Sequence, residues 1–459
     1  MPERFSELHF PDAPKILVKP PGPNAMRLLE KQKQLDSRAV FYPLVVPTAW
    51  EEGRGATLKD VDGNIYIDFI AGIGVLAVGH SNPVVVEVVK KQAEKIIQAL
   101  DIPTPQRIEL VEKLIEIAPG NLKGNAKVLF GGPTGSDAVE ASIKLARFNT
   151  KRRAIIAFEG SYHGMTAGAL AVTGKKSFKV GYGTLMPDVH FAPFAYCYRC
   201  AFGKTFPECD FQCVRYVDHI LEDPDAGIAE PAAVIVEPIQ GEGGIIVPPK
   251  GYLTELKRTC ERNGVLMIVD EIQSGFARTG KMFACEHDNV TPDIMAIAKA
   301  VGGIGLPLAG IVLRKELDTW EPGGHVGTFR GSVLACAAGS AAIGFILDND
   351  LAGHASKLGD HMLKRLNEIA EQSKYAGEAR GRGLMCAIEF VEDKKTKKPA
   401  VEFVKKVQRT CLERGIIVWK AGHWPNVIRF LPPLVITRDL VDKGLDIFSE
   451  AVKETEKFI

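Results

Sequence analysis

The sequence predicts an α/β protein, with a large doubly wound domain built on a mainly parallel sheet and a smaller α+β domain beside it. Three observations predict this. From Lys127 onward, short apolar runs alternate with helical stretches, the pattern of strand–helix–strand units. One run, Val265-Leu-Met-Ile-Val269, is continuous and rich in branched residues, which suits a strand buried on both faces of a parallel sheet. After a long helical stretch at Ser332 to Leu347 the texture changes to helices flanking short strands. At 459 residues, the chain is also too long for one ordinary core.

Residues 1 to about 45 are Pro-rich around a helical stretch at Ala25 to Leu35, and read as an arm lying on a neighbour. A hairpin follows: Ala56 to Val61, a turn at Asp62-Gly63-Asn64, then Ile65 to Phe69, the Asp-Gly step being a strong turn signal. Val84 to Leu100 and Pro105 to Ile117 have helical periodicity. The strand at Val128 to Phe130 leads to a helix at Ser136 to Phe148, and Ala154 to Phe158, Ala233 to Val236, Val265 to Val269 and Met295 to Ala298 are further strands. In the last part, helices at His361 to Ser373 and Val401 to Glu413 flank a strand at Met385 to Phe390, and Val427 to Phe430 follows. The expected divisions are therefore 1–75 (arm and hairpin, part of the small domain), 76–345 (large domain) and 346–459 (small domain).

Composition narrows the function classes. With 57 basic and 56 acidic residues the net charge of +1 gives no pull toward nucleic acid or membrane. Met1 to Lys15 holds Glu3, Arg4, Glu7 and Asp12 and no apolar core, so no signal peptide is expected. The uncharged run Gly331 to Leu347 is made largely of Ala, Gly and Ser, which suits a close-packed buried helix better than a membrane span. Five of the nine cysteines (Cys260, Cys285, Cys336, Cys386, Cys411) are scattered in mostly apolar contexts, as in a reducing cytoplasm. The other four, Cys197, Cys200, Cys209 and Cys213, cluster in what reads as an inserted loop. Their spacing is compatible with a structural zinc, with two disulfides or with four thiols.

The chemistry centres on Val265 to Lys299. The strand at Val265 ends in Asp270-Glu271, and ligands of open α/β sheets collect at the carboxyl ends of strands. A second apolar run ends in Lys299 with glycines close behind, a setting that desolvates the amine and leaves it free to act as a nucleophile. An Asp able to hold a pyridinium nitrogen and a desolvated Lys are the two groups that pyridoxal phosphate needs most. Singly, each has a plainer reading, as a common strand end. Gly131-Gly-Pro-Thr-Gly-Ser136 joins a strand to a helix and can present the amides of Gly135 and Ser136 to a phosphate, or serve only as a helix cap. Tyr162, in Glu159-Gly-Ser-Tyr-His-Gly164, can stack on a planar ring or be an ordinary loop residue. Gly275 to Lys281 nearly fits a P-loop, but Met282 stands where a hydroxyl should reach magnesium, which argues against nucleotide hydrolysis.

Taken together, these segments resemble the class III aminotransferases, fold-type I pyridoxal phosphate enzymes. Matching motifs run the length of the chain: Asp60-Val-Asp-Gly-Asn64 to Gly79-His80, Thr134-Gly-Ser136, Tyr162-His-Gly164, Glu237-Pro-Ile-Gln-Gly-Glu-Gly-Gly244, Asp270-Glu-Ile-Gln273, Ala298-Lys299, Gly327-Thr-Phe329 and Arg429-Phe-Leu-Pro-Pro433. The resemblance implies pyridoxal 5'-phosphate attached to Lys299, which would also shuttle the proton, with Asp270 at the ring nitrogen, Gln273 at the phenolic oxygen and Tyr162 stacked on the ring. It implies a phosphate held by Gly135, Ser136 and a Thr328 donated by a second copy, hence a homodimer. Arg429 would clamp a substrate carboxylate, Glu242 would gate it, and Ile73 would line the substrate pocket. Where members acting on 4-aminobutyrate or acetylornithine commonly carry an Arg, this chain has Met165, so a distal carboxylate would be bound elsewhere (Arg330 is one candidate) or be absent from the substrate. The Gly-Met after Tyr162-His163, with Glu321-Pro-Gly-Gly-His before Gly327, is more like the diaminobutyrate branch, and the Cys-rich insert is like that of archaeal members. The implied activity is transfer of an ω-amino group from an ornithine, 2,4-diaminobutyrate or 4-aminobutyrate type of donor to a 2-oxo acid such as 2-oxoglutarate. The alternative is an amino-acid racemase on the same fold. A non-catalytic pyridoxal-binding regulator is disfavoured, because every catalytic group is present.

Overall fold

The computed structural model describes residues 4–457, which fall into two units, one formed by Met1–Pro83 with Lys357–Ile459 and the other by Val84–Ser356. The first unit opens with the meander β1 (Trp50–Arg54), β2 (Thr57–Asp60) and β3 (Ile65–Asp68). The Asp-Gly turn lies where the sequence puts it. Asp60 Oδ1 accepts the N–H groups of Asp62 and Asn64 at 3.0 and 2.9 Å, and Gly63 turns the chain at φ 87°. The Tyr66 hydroxyl donates to Asp60 Oδ2 at 2.8 Å, so the turn is tied into the core by a buried network.

The second unit is built on seven strands: β4 (Ala126–Gly132), β5 (Ala154–Phe158), β6 (Val189–Ala192), β7 (Pro231–Val236), β8 (Leu266–Asp270), β9 (Ile294–Ile297) and β10 (Ala309–Arg314). Their order across the sheet is β4-β10-β9-β8-β7-β5-β6. The pairs β5–β6, β5–β7, β7–β8 and β8–β9 are parallel, and β10 runs antiparallel to both β9 and β4. All residues of β5, β7 and β9 are buried, as expected when helices cover both faces. The continuous apolar runs are thus the sequence's record of a two-sided sheet.

The rest of the first unit adds β11 (Ala376–Arg382), β12 (Met385–Asp393), β13 (Lys398–Pro399), β14 (Ile416–Ile417), β15 (Trp419–Ala421) and β16 (Val427–Phe430). Strands β11-β12-β16-β15 form an antiparallel sheet, while β14 joins β3 in parallel.

Several expectations need correcting. The units divide after Pro83 and Ser356 rather than after 75 and 345. The helix expected from Val84 to Leu100 covers only Pro83–Ala93: the Gln92 side chain takes the Ile96 carbonyl at 2.8 Å, and Leu100 is left-handed at φ 57°. The helix placed at His361 begins ten residues earlier, spanning Leu351–Gln372. Strand β10 and the terminal helix Arg438–Lys457 were not foreseen. The uncharged run forms the helix Val333–Asp348, most of which is buried. A Cβ on its Gly339 would stand 2.2 Å from the Val301 carbonyl, and one on Gly303 would stand 2.7 Å from the Ala338 carbonyl. That close approach explains the small residues: the helix backs the turn that carries Lys299. No single helix among the described residues is long and apolar enough to cross a membrane.

Candidate active site

The candidate residues of the second unit collect at the carboxyl ends of its strands. Asp270 ends β8 and is opposite Ala296 of β9, three residues before Lys299. Lys299 opens a short 3-10 turn, Lys299–Gly302, in a left-handed conformation at φ 53°. Such a conformation costs a non-glycine residue energy and persists only where the surroundings hold it, which marks functional positions. Here the hold is the packed helix behind the turn. The structure therefore places a strained lysine just past the end of the strand that pairs with the one ending in the buried Asp270.

Asp270 is held from two sides. Its Oδ2 is 2.7 Å from His163 Nδ1, and its Oδ1 accepts the Ile272 N–H at 3.0 Å. His163 is itself fixed by its backbone N–H, which donates to Thr173 Oγ1 at 3.0 Å. With Nδ1–H donated to Asp270, the imidazole fixes the orientation of the carboxylate. Sequence reasoning had treated His163 as an ordinary loop or core residue. The signal that could have found it was its place just past β5, on the edge where Asp270 ends β8.

Glu237 was also missed, although it follows β7 directly and the same strand-end argument applies to it. Its Oε1 accepts the Tyr162 N–H and its Oε2 the Gly241 N–H, each at 2.9 Å. Burial pushes this carboxyl up to about 7, with His163 opposing the rise and Asp270 adding to it. The Tyr162 ring stands at right angles to Phe178, with centroids 5.7 Å apart, so its orientation is set by packing. Gln273 places a buried Oε1 with no hydrogen-bond partner among the described residues beside Gly241, where a Cβ would come within 2.0 Å of it.

The phosphate candidates sit at the start of the helix Gly135–Thr150, whose first N–H groups have no acceptor within the helix. Thr134 caps the turn, its N–H and hydroxyl both donating to Asp137 Oδ2, at 3.0 and 2.8 Å. Ser136 Oγ accepts the Met165 N–H at 3.2 Å, which ties the Tyr162–Met165 loop to the helix. The two backbones come so close that a Cβ on Gly164 (φ 130°) would stand 2.1 Å from Ser136 Oγ. Gly164→Ala is therefore expected to destabilise the fold by about 1–3 kcal/mol and loosen the Ser136 corner, read as a lower midpoint in denaturant and weaker cofactor retention.

The remaining candidates are more dispersed. Thr328 is exposed, in a loop whose Thr328 carbonyl accepts from Gln98 and whose Arg330 carbonyl accepts from Arg107 Nη1 at 3.0 Å. The Arg330 guanidinium is part-buried, with Asp137 as its nearby charge. Glu242 lies half-buried in the loop after β7. Arg429 and Ile73 belong to the other unit. Arg429 is 1% exposed in the middle of β16, and Ile73 is left-handed at φ 64°. The four clustered cysteines line one cavity of about 20 Å³, and burial pushes the Cys213 thiol up to about 12, so it is neutral. Among the described residues no group of three or more His, Cys, Asp or Glu side chains is placed to hold a metal ion.

A planar pyridine with an aldehyde and a phosphate fits these groups. The test is the Gln273 oxygen, buried and awaiting a donor, together with glycine-lined approaches at Gly164 and Gly241 that leave no room for side chains. The comparisons agree. The sequence model of the class III aminotransferases matches residues 42–452. The chain is 38% identical over 439 residues to a diaminobutyrate–2-oxoglutarate aminotransferase of Haemophilus influenzae, covering 94% of this chain and 96% of that one. It is 40% identical to a leucine/methionine racemase of Thermococcus litoralis, covering 92% of this chain and 93% of that one. Among solved structures, a thermostable (S)-enantioselective omega-transaminase of Thermomicrobium roseum superposes with a TM-score of 0.86 at 29% identity, covering 94% of this chain and 99% of that one.

Proposed function

This chain belongs to the class III aminotransferases, which depend on pyridoxal 5'-phosphate, and we propose that within the family it moves the terminal amino group of a diamino or ω-amino acid to a 2-oxo acid such as 2-oxoglutarate. The observation that carries the choice of donor is the 38% identity to a diaminobutyrate–2-oxoglutarate aminotransferase, and the corner beside Ser136 constrains where the donor's carboxylate is held. Met165, 47% exposed, offers no cation for a distal carboxylate there. Every donor of this class, 2,4-diaminobutyrate and ornithine included, carries a carboxylate away from its reacting terminal amine, so that group would be held elsewhere, with Arg330 one candidate.

When bound, the cofactor supplies an electron sink that stabilises the carbanion of the substrate. The chain's own residues do the rest. Lys299 Nζ would hold the cofactor at its aldehyde carbon and would move the proton at the substrate carbon that bears the reacting amine. The Asp270 carboxylate, oriented by His163, keeps a proton on the ring nitrogen. Gln273 would meet the phenolic oxygen, the Tyr162 ring would cover one face, and the amides of Gly135 and Ser136 would hold the phosphate. Arg429 as carboxylate clamp, Glu242 as its gate and Ile73 as a pocket residue are proposed on the resemblance alone.

A second copy completing the phosphate site through Thr328 belongs to the same proposal. Thr328 is exposed and its loop is anchored, as a donated side chain requires. Thr328→Ala is expected to weaken cofactor binding roughly ten- to a hundred-fold, the worth of a hydrogen bond to a charged group. In mixed dimers of Thr328→Ala and Lys299→Ala subunits, the centre that keeps Lys299 should bind cofactor like wild type. If it binds as weakly as the Thr328→Ala homodimer, the site is not shared.

The racemase reading is kept because a racemase is among the similar proteins. Incubation with L-2,4-diaminobutyrate, L-ornithine, 4-aminobutyrate and L-leucine, with and without 2-oxoglutarate, separates the two. Glutamate formed only with 2-oxoglutarate supports transfer. Rapid D-leucine formation without any 2-oxo acid overturns transfer as the main task.

A further inference from the structure

Glu237 has no task in the reaction above, yet it is buried at the end of β7 between the loops that carry Tyr162 and Glu242. Its two oxygens are divided between those loops, one for the Tyr162 N–H and one for the Gly241 N–H. The loops also interlock without it. Gln240 Nε2 donates to the Glu159 carbonyl at 2.8 Å, and a Cβ on Gly243 would stand 2.8 Å from the Gly160 carbonyl. A hydrogen bond from Gln240 would suffice to join them. A fully buried carboxyl is a costly way to add a second clip, so its charge needs a reason.

The titratable groups that bear on Glu237 are His163, from the loop after β5, and Asp270, from the end of β8. These two are bonded to each other at 2.7 Å, and the other imidazole nitrogen, His163 Nε2, is buried with no hydrogen-bond partner among the described residues. The imidazole therefore feels two carboxyls but is bonded to one.

We infer that Glu237 is a positioning residue for the cofactor ring: its carboxyl fixes the Tyr162 loop against the Gly241 loop, and its charge, acting through His163, adjusts how firmly Asp270 holds the proton on the ring nitrogen. This rests on Asp270 being the partner of that nitrogen. Below a Glu237 midpoint of about 7 the carboxyl is neutral and adds no charge beside the His163–Asp270 pair. Above it a negative charge appears beside that pair and favours a proton on the ring.

The test is spectroscopic. In wild-type holoenzyme the visible band of the lysine-bound cofactor is expected to show an inflection near pH 7, set by Glu237. In E237Q, which never ionises but can accept only one of the two backbone N–H groups, the inflection should vanish, and the alkaline midpoint of the band should fall by about half a pH unit. E237D retains an ionisable group and should keep the inflection, which decides the matter if E237Q does not accumulate folded. A wild-type band without the inflection, an E237Q band that retains it, or an E237D band that loses it overturns the inference and leaves the proposed function standing. A wild-type protein that has no visible band at all removes the cofactor site itself, and the inference with it.

Discussion

Lys299→Ala leaves a folded chain that loses its visible cofactor band and about ten-thousand-fold or more of its turnover, because one side chain both holds the cofactor and moves the proton. The size follows from the geometry. Lys299 is the lysine at the end of β9, next to Asp270 on β8, and its left-handed turn aims it from a fixed backbone. Folding should change little, within about 1 kcal/mol, since alanine inherits the same left-handed strain. Cofactor should still bind, more weakly and without covalent attachment, through the groups that meet its ring and phosphate. A variant that kept a borohydride-reducible band on the protein would show that another lysine holds the cofactor.

Asp270→Asn should lower turnover by about a thousand-fold while leaving the cofactor bound to Lys299. The amide keeps the shape and can still meet His163, but it carries no charge to keep a proton on the ring nitrogen. Asp270→Ala goes further, because it leaves the buried His163 Nδ1 without its 2.7 Å partner, adding a folding cost of about 1–3 kcal/mol. Stopped-flow absorbance of each half-reaction, with thermal melts alongside, separates the two effects. An Asp270→Asn variant of near wild-type rate would remove Asp270 from the chemistry.

Much of this was legible in the sequence, and the reasons differ residue by residue. Asp270 and Lys299 stood out because continuous apolar runs mark two-sided strands, and a charged residue at the end of such a run has only the strand edge to occupy. The same logic applied to Glu237 and was not used there, because its run, Ala233 to Val236, is short and a proline follows. For His163 the sequence offered only its place just past a strand end: its importance is a 2.7 Å contact to a residue 107 positions away, and no local pattern encodes that contact. The left-handed Lys299 was hidden for a related reason, since the strain is imposed by a helix that begins at Val333. Strand β10 escaped because periodicity reports burial and not direction, so an antiparallel insertion looks like any other apolar run. The early end of the helix at Ala93 came from a side chain, Gln92, taking a backbone carbonyl that periodicity counts as helical. The cysteine cluster was grouped correctly by spacing, and its cavity is small and lined by aromatic rings.

The account stands or falls on which side chain holds the cofactor. Purified holoenzyme reduced with borohydride, digested and mapped by mass spectrometry gives that side chain directly. The expected result is a single peptide spanning Ala298 to Gly302 that carries the reduced pyridoxyl group on Lys299, absent from Lys299→Ala. A pyridoxyl group found on any other lysine, or on none, would contradict it.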